Sequence, residues 1–126
     1  MSYETKDWMP GGSDMEQRFS DAEDMNRFIS KKLGARERLE VLAEEAVELS
    51  QAALKMIRAY KMGGAVNPTP ITPNEALENL FEEIADVELA VEALGFYYMS
   101  RRRISEIKEE KRKRWFERLK GAEKNE

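Results

Sequence analysis

Residues 72–94 read TPNEALENLFEEIADVELAVEAL. Leu77, Leu80, Phe81, Ile84, Val87, Val91 and Leu94 recur at spacings of three and four, the period of a helix that buries one side. Its start is marked as plainly. Thr72 fits an N-cap, Pro73 the first helical position, and Glu75 the acidic member of a capping box. The spacing predicts a helix from Pro73 to about Met99. Its apolar surface is broader than one small bundle requires, so self-association is expected.

Upstream, MGGAVNPTPIT (62–72) places two Gly and two Pro in eleven residues and breaks any helix. Before it, residues 36–61 carry Leu39, Leu42, Ala46, Leu49, Ala53 and Met56 at helical spacing, which predicts one buried stripe. A shorter helix is expected from about Ser20 to Leu33, with Met25, Phe28, Ile29 and Leu33 on one face and Gly34 as its stop. Downstream, a last helix is expected from about Arg102 to Leu119, with Ile104, Ile107, Lys111, Trp115 and Leu119 along one side. No stretch alternates as a half-buried strand does. The expected fold is all-α, a four-helix bundle over residues 21–120. A flexible or partner-docked arm at 1–20 and a short tail at 121–126 flank it.

Composition narrows the chemistry. The 126 residues fit one domain with a core, and 37% charged residues point to long solvated helices. There is no Cys and no His. Disulfides, thiolate or imidazole metal sites, and any catalytic pair built on histidine are excluded together. The net charge of −4 is uneven: residues 101–120 hold ten Lys or Arg against four Glu, a local +6, which leaves −10 for the rest. An acidic body with a basic end suits an anionic ligand, an internal partner or nucleic acid. The N-terminus lacks the features of a signal peptide and no apolar run approaches a bilayer span, so a cytoplasmic protein is expected.

Acids recur inside the apolar helices, in EEAVEL (44–49) and EEIADVEL (82–89). Residues three apart share a helix face, so Glu45 with Glu48, and Glu83 with Asp86, aim carboxylates at common points. If the two helices pack antiparallel, four carboxylates converge. Like charges that close raise one another's pKa, so a cation is required. Oxygen ligands alone select a hard ion, Mg²⁺ or Mn²⁺, and Mg²⁺ in such sites keeps waters and binds substrate phosphates.

Together, Glu44-Glu45-Ala46-Val47-Glu48 and Glu83-Ile84-Ala85-Asp86 resemble the all-α nucleoside triphosphate pyrophosphohydrolases: the MazG proteins, dimeric dUTPases and phosphoribosyl-ATP pyrophosphatase. LAEEAVELSQAALK and NLFEEIADVELAVEAL are most similar to small MazG-like proteins, and the resemblance covers roughly residues 36–119. It implies a MazG-like bundle, assembled as a dimer or tetramer, that hydrolyses a nucleoside triphosphate to the monophosphate and pyrophosphate. It makes Glu45, Glu48, Glu83 and Asp86 ligands of Mg²⁺. Glu44 either orients or deprotonates the attacking water, or is a surface charge. Lys111 and Arg114 match the basic residues that meet phosphates from the last helix. Lys55, two turns beyond Glu48, is a further candidate for the phosphate chain or base, and Phe96, Tyr97, Tyr98 and Trp115 are candidates for stacking on a base.

Two departures stand out. Thirty-four residues separate Glu48 from Glu83, a long connection for this family, expected to form a substrate lid or an oligomer contact. Glu88 sits where an apolar residue is common. Two other functions fit parts of the chain: a nucleic-acid binder using RRRISEIKEEKRKR (101–114), and a non-catalytic helical module. The first leaves the acidic motifs unused, and Glu106, Glu109 and Glu110 would repel a phosphate backbone.

Overall fold

The computed structural model of the chain describes the backbone of residues 14–95 and 97–124, and the side chains of residues 21–95 and 100–124. They form four α-helices: α1 (Asp14–Lys32), α2 (Ala35–Ala59), α3 (Pro73–Glu92) and α4 (Tyr97–Lys124), with a 3-10 turn at Met62–Gly64. No strand occurs among the described residues, as expected. Contacts divide the chain into two compact units at Gly95–Phe96, inside the single domain expected over residues 21–120.

The start of α3 is built as its residues dictate. The Thr72 hydroxyl accepts the Glu75 N–H at 3.2 Å, the Glu75 carboxylate accepts the Thr72 N–H at 3.3 Å, and Pro73 opens the first turn. Its end differs from expectation. α3 stops at Glu92 rather than near Met99, because Gly95 takes φ 84°, a left-handed conformation that cannot continue an α-helix. Tyr97 and Tyr98 therefore open α4, which was expected to begin near Arg102. α1 reaches back to Asp14 rather than Ser20, since no Pro or Gly interrupts residues 14–32. Residues 1–13 of the expected N-terminal arm lie outside the described residues.

Two observations fix α2 and α3 as an antiparallel hairpin. Arg38, in the first turns of α2, donates from Nη1 to the carbonyl of Leu94 just past the end of α3. Further along, Glu45 and Glu48 meet Glu83 and Asp86. Two turns beyond Glu45 is Ala52, and two turns before Glu83 is Ala76; both are 0% exposed. Small side chains at these positions let the helix axes approach closely. α1 joins one end of the hairpin, where Asn26 Nδ2 donates to Glu92 Oε2 at 3.1 Å and Ser30 Oγ donates to the Ala93 carbonyl at 2.8 Å.

The stripe expected to be buried on α2 is only partly so. Leu42, Leu49 and Met56 are half-buried, whereas Leu39, Ala46 and Ala53 are exposed. The true seam is rotated from that stripe and centres on Glu45 and Ala52. On α4, Ile107 is half-buried while Ile104, Lys111, Trp115 and Leu119 are exposed. Its ion pairs run along the helix itself, as between Arg102 and Glu106 at 3.4 Å.

Arg38 also donates from Nε to the Leu33 carbonyl at 3.1 Å, so one guanidinium ties the end of α1 to the end of α3. A Cβ on Gly95 would run into this guanidinium and would force a left-handed alanine. Gly95→Ala is therefore expected to lower unfolding free energy by about 1–3 kcal/mol in a urea titration. Gly34→Ala, where φ is −68° and an added Cβ meets nothing within 4 Å, serves as the tolerated comparison.

Candidate metal centre

The hairpin brings the four expected ligands together. One carboxylate oxygen from each of Glu45, Glu48, Glu83 and Asp86 lies within 4.8 Å of the others. Helical spacing accounts for each pair, and antiparallel packing for their meeting. The four are not equivalent. Glu45 and Glu83 are half-buried and form the floor, while Glu48 and Asp86 are exposed and form the rim.

The floor is electrostatically incomplete. Oε2 of Glu45 and Oε2 of Glu83 are buried and have no hydrogen-bond partner. No ion pair joins any of the four to a Lys or Arg among the described residues. Burial, then the charges of Glu48 and Asp86, push the Glu45 carboxyl above its ordinary range. Glu83 is raised by burial first and then by Glu48 and Asp86, with Glu82 adding a smaller push. A buried acceptor without a donor is costly, and more so when it bears charge. The residues fit a hard divalent cation: the donor set is oxygen only, two donors lack any other partner, and the rim opens to solvent.

The remaining candidates are placed less tightly. Glu44 is exposed, adjacent in sequence to Glu45 but not part of the four-carboxylate group. Lys55 is half-buried on α2, seven residues past Glu48. Lys111 and Arg114 are exposed on α4, and neither takes part in an ion pair among the described residues. Trp115 is exposed on the same helix, and the side chains of Phe96, Tyr97 and Tyr98 lie outside the described residues.

The Gly and Pro residues of the α2–α3 connection signalled an irregular segment but not the cleft beside it. After α2 the chain turns through Lys61, Gly63 and Gly64, all at positive φ, and the connection borders an open cleft of about 500 Å³. Arg58, Lys61, Val66, Asn67, Thr69 and Ile71 line it. No family model matches this chain, and no curated protein or solved structure is similar to it.

The raised carboxyls give the metal-free protein a definite pH dependence. The folded state holds these protons more tightly than the unfolded chain. Their contribution to stability is therefore full below the ordinary carboxylate range near pH ~4.3 and is lost as pH rises through the raised values. Chelator-treated protein is expected to show a higher Tm at about pH 5 than at neutral pH, and added Mg²⁺ is expected to raise Tm more at neutral pH. Glu45→Gln should raise the metal-free Tm at neutral pH and remove most of the Mg²⁺ response, both read by scanning calorimetry.

Proposed function

We propose that this chain is a Mg²⁺-dependent hydrolase that cleaves a nucleoside triphosphate to the monophosphate and pyrophosphate. The observation that carries this reading is the convergence of four carboxylates within 4.8 Å, with two buried oxygens lacking any partner. The resemblance of the two acidic motifs to the MazG-like pyrophosphohydrolases selects the reaction from among those a hard-metal site supports.

In this reading Glu45 and Glu83 hold the ion from the floor, and Glu48 and Asp86 hold it from the rim where substrate enters. Mg²⁺, or Mn²⁺ in its place, supplies neutralisation of phosphate oxygens and a more acidic bound water. Glu44, exposed and next to Glu45 in sequence, orients the attacking water or takes its proton. The resemblance gives the phosphate charge that the metal leaves unneutralised to basic residues, for which Lys55, Lys111 and Arg114 are the candidates. The chain works as a homo-oligomer, dimer or tetramer.

Pyrophosphate release from a panel of normal and modified nucleoside triphosphates, with and without Mg²⁺, tests the proposal. Glu48→Gln and Asp86→Asn are each expected to lower kcat/KM by about 10²–10³-fold, in proportion to the charge stabilisation removed. Lys111→Ala and Arg114→Ala are expected to raise KM more than they lower kcat. No release from any triphosphate by folded, Mg²⁺-loaded protein would overturn the assignment and leave a non-catalytic helical module.

A further inference from the structure

The cleft beside the α2–α3 connection lies on the side of the hairpin that carries the acids. With the seam direction of α2 set to zero at Glu45, a turn of 100° per residue places Glu44, Glu48, Lys55 and Ala59 on one stripe, at roughly 260–320°. Ala59 lines the cleft, and Arg58 closes it at the edge of that stripe. From Glu48 the helix rises about 10 Å to Lys55 and about 15 Å to Arg58. The four carboxylates, Lys55 and every residue lining the cleft belong to the same compact unit, so this track is a property of the hairpin and its connection alone.

The lining has a consistent chemistry. Arg58, Lys61, Asn67 and Thr69 bring hydrogen-bond donors, Ala65, Val66 and Pro68 bring apolar surface, and no Asp or Glu lines the cleft. Arg58 is half-buried. Neither its side chain nor that of Lys61 makes an ion pair or hydrogen bond among the described residues. Apolar walls with a few convergent polar groups are the make-up of a small-molecule site. A donor-rich rim selects hydrogen-bond acceptors. It favours a neutral acceptor over a second anion, because the cleft adjoins the C-terminal end of α2, where the helix dipole is negative.

We infer that this cleft holds the base of the nucleotide and that Arg58 selects a 6-oxopurine there. The inference rests on the hydrolase reading for the other end of the substrate: metal and carboxylates take the phosphates, the ligand passes Lys55, and the base enters the cleft. An extended nucleoside triphosphate spans a length comparable to this track. Guanine and hypoxanthine present O6 and N7 as an adjacent pair of acceptors, which a forked guanidinium meets with two parallel N–H donors. Adenine carries an amino donor at that edge and would face Arg58 donor to donor.

Nucleoside monophosphates test the pocket without requiring turnover. In full-length protein with Mg²⁺, followed by amide NMR, GMP and IMP are expected to shift residues 58–71 and to bind at least about 10-fold more tightly than AMP. Arg58→Met should bring GMP and AMP to within about 3-fold of each other while circular dichroism keeps its helical signal. Lys61→Gln, at an exposed position, should weaken GMP and keep the order. In turnover, kcat/KM for GTP and ITP should exceed that for ATP, and Arg58→Met should erase the difference. Equal binding of GMP, IMP and AMP by the wild type, or no shift at residues 58–71, would overturn the inference. So would an Arg58→Met variant with a lowered Tm and an intact preference, which would make Arg58 an end charge of α2 and nothing more. The two readings fail separately. A GMP preference at the cleft with no pyrophosphate release from any triphosphate would overturn the hydrolase and keep the pocket; release that is blind to the base would do the reverse.

Discussion

The structure depends on how closely α2 and α3 approach. Ala52 and Ala76 lie on the seam two turns from the acids, and both are wholly buried. Larger residues there would part the axes and spread the carboxylates. With alanines, the four oxygens share a volume less than 5 Å across. The seam is thus held by small apolar contacts at one level and opposed by like charge at another. Arg38 fastens the end nearest Gly95, donating to carbonyls at the ends of α1 and α3. Thr72, Pro73 and Glu75 fix where α3 begins after the long connection. These end fastenings let the middle of the seam carry charges that work against it.

The two sides of the hairpin have different chemistry because each helix carries two apolar arcs. One arc meets the partner helix and the other faces outward beside it. The acids occupy the remaining side and the edge of the seam. On the proposed reading, catalysis therefore uses the acidic side of these helices. The raised carboxyls of Glu45 and Glu83 mark where stability has been given up for charge density.

Much of this was legible in the residues. The capping box named the first residue of α3 outright, because its hydrogen bonds need only local sequence. The convergence of the four carboxylates followed from spacing, once two acidic motifs on neighbouring helices were paired. What periodicity could not supply was phase. In the run Gln51-Ala52-Ala53-Leu54, either alanine fits a buried stripe, and the choice of Ala53 over Ala52 rotates the helix by about 100°. Only the partner helix decides. The end of α3 was misplaced for a related reason. Apolar residues continue at helical spacing through Gly95, and one glycine within such a pattern does not announce that its φ is positive. The cleft at the α2–α3 connection was beyond reach, since irregular backbone with three positive φ values has no period to read.

A helix used on both sides has little neutral ground. Around α2, the seam, the outward apolar arc and the acidic arc leave a narrow strip that includes Glu40 and Gln51, both exposed. Tolerance to substitution along α2 should therefore be confined to that strip, and its sequence should drift slowly for a surface helix. On α4, by contrast, Arg102, Arg112 and Lys120 pair, among the described residues, with acids of their own helix. Coordinated exchange of charge within α4 leaves its ion pairing intact, so variation can accumulate there in linked pairs.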